Sequence, residues 1–136
     1  MTKELKTIIY PSTEKIEEYN LLILTIVQVK KADKAEVLSY QKIEDTVERC
    51  KKLKGDIYDK AVFLLKSLVQ KHAFASGNRR TAFIVAKDFL IKNHCKFKIE
   101  DNSENSKVML GIRENFYTDS EIKRWLEHGK IREFRR

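Results

Sequence analysis

Proline and glycine are scarce, with one proline and four glycines in 136 residues. Sandwiches and barrels need frequent turn residues, so that composition excludes them and points to a small helical domain. Cysteine is also rare. Cys50 and Cys95 stand alone in the sequence with no CxxC neighbour, so their spacing is neither a disulfide framework nor a zinc site. No apolar run approaches the roughly 20 residues that span a bilayer. The longest, Leu21 to Val29, already contains Thr25 and Gln28. The first six residues, Met1 to Lys6, hold no apolar core or small-residue cleavage signal. The expectation is a reduced cytoplasmic protein whose thiols are structural or incidental, with no membrane partner.

What is present is charge and apolar patterning in balance. Hydrophobic residues make up 42% and charged residues 35%, enough for a core under a well-solvated surface, which excludes intrinsic disorder. The length suits one domain, residues 1–136, with no repeat, low-complexity segment or linker dividing it. The net charge of +8 is unevenly placed. Between Lys71 and Glu100 stand seven cations (Lys71, Arg79, Arg80, Lys87, Lys92, Lys96, Lys98) against Asp88 and Glu100. Such a surplus fits a phosphate-rich ligand, an acidic partner or nucleic acid.

Helical spacing recurs along the chain. Pro11 and Ser12 open a first helix carrying Ile16, Tyr19, Ile23, Ile26 and Val27. Asp33-x-x-Glu36 reads as a capping box for a second, with Ile43, Val47 and Cys50. Gly55 stops it and Asp56 caps a third, about Ile57 to Lys71, whose buried stripe ends at His72. A fourth, Thr81 to Lys92, is apolar nearly all round and belongs at the centre. The alternation Lys96-Phe97-Lys98-Ile99-Glu100 predicts a minor strand, paired with Thr7 to Tyr10. Val108, Met109, Ile112 and Phe116 mark a fifth helix despite Gly111. Thr118-x-x-Glu121 caps a sixth, with Ile122, Trp125 and Leu126. Gly129 ends it before a basic tail running to Arg136.

The segment with chemistry is His72-Ala73-Phe74-Ala75-Ser76-Gly77-Asn78-Arg79-Arg80-Thr81-Ala82. A helix start offers unpaired N–H groups and partial positive charge, a natural cradle for phosphate. Gly77 lets the backbone approach a ligand, Asn78 offers an amide, and Arg79 and Arg80 bring forked donors that match phosphate oxygens. His72 is of the right basicity to take a hydroxyl proton. The same residues also read as a packed core histidine, an ordinary turn and two solvated arginines.

This segment resembles the signature of the Fic/Doc family, whose Doc branch reads approximately H-P-F-x-D/N-G-N-K-R-T-A. The likeness extends over about Gly55 to Asn93. It implies an all-helical fold of about six helices, with at most a minor two-stranded element. It also implies transfer of part of a nucleoside triphosphate, ATP or another, to a protein hydroxyl with magnesium. Carried over, His72 is the general base, Phe74 the buried anchor, and Gly77 and Asn78 the anion nest. Arg80 clamps phosphate and stabilises developing charge. Ala73 stands where the family has proline. Ser76 stands where Asp or Asn helps hold magnesium, and could at most reach the metal through a water.

Arg79 replaces the glycine of AMP-transferring members and corresponds to the lysine of Doc-type members, while Phe83 replaces a second arginine. Both departures place the chain on the Doc side, where the γ-phosphate is presented. Doc-type proteins act as toxins on translation factors beside a small antitoxin, and a homodimer is a further option. Thr13 to Glu18 only approaches the autoinhibitory (S/T)xxxE(G/N) pattern and reads as a helix with solvated acids. The alternatives are a nucleotidyl transferase of the same fold, and a Fic-fold binding module that has lost its chemistry. A nucleic-acid-binding helical domain is disfavoured, because Glu121, Glu127 and Glu133 interrupt the basic C-terminal face.

Overall fold

The computed structural model describes residues 7–26 and 35–135. They form six helices: α1 (Thr13–Ile26), α2 (Tyr40–Lys52), α3 (Ile57–Gln70), α4 (Asn78–Lys92), α5 (Ser103–Arg113) and α6 (Asp119–His128). The fold is all-α, as the composition predicts, and no strand occurs among the described residues. Among the described residues no helix is long and apolar enough to cross a membrane.

Most ends follow from local chemistry. The Ser12 hydroxyl accepts from the Lys15 N–H and starts α1. Asp56 and Asp59 form a reciprocal capping box on α3, and Thr118 and Glu121 form another on α6. Each such cap is worth roughly 1 kcal/mol. Gly129 closes α6 in the left-handed region at φ 75°.

The second helix departs from expectation. It begins at Tyr40, capped by the Ser39 hydroxyl, beyond the anticipated Asp33–Glu36 box. Asp33, like Val27 of the first apolar stripe, lies outside the described residues. Glu36 is not helical because its carbonyl accepts from Ala75 N–H at 2.9 Å, within an antiparallel bridge between Val37 and Phe74.

The core is built on α3 and α4. α3 packs against α2, α4, α5 and α6, while α4 packs against α1, α3 and α5. The apolar surround of α4 thus meets neighbours on most sides, burying Ala82, Val85, Ala86, Phe89 and Leu90. α6 buries Trp125 completely, and Trp125 donates its indole N–H to the Asn105 side chain at 3.3 Å. On α5, Gly111 weakens the helix but makes room for a ring: a Cβ there would lie 2.5 Å from Tyr117 Cε2. Phe116, expected within α5, lies beyond it and stacks edge-on with Phe134 at 5.1 Å. The basic tail therefore folds back onto the core, with Arg132 over the Phe116 ring at 4.0 Å and hydrogen-bonded to Glu121.

The predicted strand pairing does not form. Phe97 and Ile99 do turn toward the core, but the Asn93 side chain takes the place of the second strand. Its amide accepts from Ile9 N–H and donates to Ile9 C=O, both at 2.8 Å.

One buried cation was not foreseen. Lys60 on α3, only 4% exposed, donates to Cys50 O at 2.8 Å and Leu53 O at 2.7 Å, under the end of α2. Terminal carbonyls carry the negative end of the helix dipole, and they serve here as the counter-charge.

Candidate active site

The loop joining α3 to α4, the two helices at the centre of the core, holds the motif. α3 stops at Gln70, and His72 lies two residues on at φ 49°. That reversal lifts the imidazole off the buried stripe on which the Leu68 and Val69 spacing had placed it. His72 is exposed, and the core-histidine reading does not hold. Its left-handed backbone occupies the position after a helix cap where glycine is usual.

Beyond His72 the chain is pinned residue by residue. The Ala73 carbonyl accepts from Leu38 N–H at 2.7 Å and from Ser39 N–H at 3.2 Å. Phe74 is buried to 2% exposure in the main core, and sinking such a ring supplies about 1.5–3 kcal/mol. The Asn78 side chain reaches back to Phe74, accepting from its N–H at 3.1 Å and donating to its C=O at 2.8 Å. Of the two uses open to the Asn78 amide, a ligand or the loop, the side chain takes the loop and braces it.

Gly77 caps α4 at φ 77° with no side chain to satisfy the helix start. α1, α3, α5 and α6 all carry an acid in the first turn, but α4 carries Arg79 and Arg80 there. Cations at the positive end of a helix are unfavourable by about 0.3–1 kcal/mol each. Both arginines are exposed, and neither forms an ion pair among the described residues. A locally unfavourable arrangement of this kind is what an anion would relieve.

Arg79 and Arg80 open onto a cleft of about 270 Å³ between α4 and α5, floored by Phe83 and Met109 with Asp101 at its edge. On the other side of the loop, burial and the neighbouring Arg49 and Lys42 charges lower the Lys71 pKa, while Asp45 opposes them. The candidate base therefore follows directly on a crowded cationic patch.

Ser76 presents its carbonyl inward, where the Asn20 amide donates to it at 2.8 Å. Asn20 escaped the sequence reading. It sits on the inward face of α1 with Ile16, Ile23 and Leu24, a polar residue in an apolar stripe, and that was the available signal. Among the described residues no group of three or more His, Cys, Asp or Glu could hold a metal.

A family model described as the Fic/DOC family matches residues 5–90, which spans α1 through most of α4. No curated protein matches the chain.

Proposed function

Because the chain belongs to the Fic/DOC family, we propose that it is a Doc-like transferase that moves the γ-phosphate of a nucleoside triphosphate to a hydroxyl of a target protein. The observation that carries this reading is one of placement. An exposed imidazole, His72, precedes a left-handed glycine turn, and that turn opens a helix whose first residues include two arginines without carboxylate partners.

In the proposed reaction the target hydroxyl oxygen bonds to Pγ, and the bond from Pγ to the β,γ-bridging oxygen breaks. The nucleoside diphosphate leaves with that electron pair. His72 takes the hydroxyl proton as general base. Arg80 and the first-turn N–H groups of α4 bind the phosphates and gain strength as charge shifts to the leaving oxygen. Arg79 occupies the turn where a smaller residue would leave room, and this favours presentation of the terminal phosphate.

The residues present do not make a magnesium cage, and Ser76 brings no carboxylate. A magnesium ion here would be carried by the triphosphate oxygens, consistent with its preference for phosphate and water. The further reading is of a toxin acting on a translation factor and controlled by a small antitoxin chain. It rests on the Doc-like residues Arg79 and Phe83.

The test is incubation of a cell lysate and the protein with γ-labelled and, separately, α-labelled ATP. Label on protein from γ alone is expected. Label from α would mean nucleotidyl transfer, and none from either would leave a binding module.

A further inference from the structure

We propose that Asn20, on the first helix and far from the motif in sequence, is a positioning residue that fixes the orientation of the Ser76–Gly77 peptide. The proposal rests on the reading of that turn as the phosphate cradle.

Asn20 is 2% exposed among apolar neighbours, where an amide is costly unless its hydrogens are used. Both are used on the turn. One N–H donates to Ser76 O at 2.8 Å and the other to Thr81 Oγ1 at 3.1 Å. These acceptors bracket Gly77, one residue before it and four after. The amide also lies against the glycine itself: a Cβ on Gly77 would come within 3.2 Å of Asn20 Nδ2.

The consequence follows from peptide geometry. In a planar trans peptide the C=O and N–H point in opposite directions. Holding the Ser76 carbonyl toward α1 therefore aims the Gly77 N–H away from α1, the side on which the phosphate-cradle reading places the ligand. A glycine turn is the place most prone to the reverse orientation, because glycine enters both signs of φ at little cost. Asn78 secures the other end through Phe74, and the Asn20 amide reaches the Ser76 carbonyl from a different helix. Asn20 supplies that constraint.

The test compares Asn20→Leu, which keeps the branched shape and loses both donors, with Ile16→Ala, a core truncation on the same helix. Each is assayed at a temperature where circular dichroism shows it folded. Asn20→Leu should raise the Kd for magnesium-ATP by about tenfold or more, and should displace or broaden the Gly77 amide resonance. Ile16→Ala should lower the melting temperature and leave both readouts near wild type. A folded Asn20→Leu that binds ATP as wild type does, or whose Gly77 amide is unmoved, overturns the assignment.

If Asn20→Leu does not fold, Asn20→Asp decides. Its carboxylic acid can donate to Ser76 O when protonated and cannot when ionised. Burial at this 2% exposed position raises a carboxylic acid above its ordinary value of about 3.9, so the Gly77 resonance should approach the wild-type position on acidification to about pH 5 and leave it near pH 8. A pH-independent resonance overturns the proposal. Wild-type protein that binds no ATP would refute the phosphate-cradle reading instead, and the Gly77 resonance would still decide the role of Asn20.

Discussion

Replacing His72 by glycine should move activity and stability in opposite directions. The residue sits after the Lys71 cap at φ 49°, in the left-handed region. An L-residue there costs about 1–2 kcal/mol relative to the right-handed form. Glycine removes that cost but brings a more flexible unfolded chain, worth about 0.5–1 kcal/mol in the other direction. The imidazole is exposed and makes no hydrogen bond or ion pair among the described residues, so its loss removes no packing. The net expectation is a gain of roughly 0.5–1 kcal/mol, which raises the melting temperature by a few degrees for a domain of this size. Phosphoryl transfer should meanwhile fall by about 10²–10⁴-fold, the usual contribution of a general base. His72→Ala is the companion variant, equally inactive but with an unchanged melting temperature. Thermal melts and γ-label transfer are read on the same preparations. A His72→Gly protein that melts lower and still transfers phosphate would refute both halves of the reasoning.

Other substitutions separate the remaining roles. Arg80→Ala should weaken ATP binding and turnover together, because a phosphate clamp acts on bound substrate and transition state alike, whereas Arg79→Gly should let α-label appear on the target; unchanged γ-only transfer would remove Arg79 from nucleotide orientation. Ser76→Asp adds an anionic oxygen and should lower the magnesium concentration at half-maximal activity, a midpoint read by metal titration. For pH, the Arg132 guanidinium and the Thr118 cap hold the Glu121 carboxyl down at about 2, below its ordinary 4.5. Its stabilising effect is thus complete above about pH 5 and is lost as pH falls from 4.5 toward 2. Glu121→Gln should flatten the acid side of a melting-temperature profile over that window.

The features legible in the sequence were those with local causes. Asp56, Thr118 and Gly129 mark helix ends by chemistry within one turn, and the apolar surround of α4 announces a central helix. Where a distant group intervened, local patterns misled. Glu36 lost its capping role because Ala75 bonds to its carbonyl. The alternation at 96–100 predicted a paired strand, yet no partner strand formed because Asn93 had taken up Ile9. His72 continued the helical stripe on paper, but the helix ended at Gln70 and the backbone reversed. The motif residues themselves were readable, and the Asn20 amide that orders them was not. Its contacts lie 56 and 61 positions away, beyond the range of any periodicity.

The ammonium of Lys60 has a use as a reporter. Amine-acylating reagents need an accessible, momentarily uncharged nitrogen, and most of the described lysines lie on the surface and offer one. Lys60 does not, because its hydrogens are directed at the carbonyls that finish α2 and Tyr10 covers it at 5.3 Å. Acylation at this one position therefore requires the end of α2 to part from α3. The extent of labelling at Lys60, followed by mass spectrometry over time, is a clock for that opening in the intact protein. Since α3 leads directly into the loop of His72, the same clock can be run with and without ATP, and slower labelling with ATP is the outcome expected if the motif binds nucleotide.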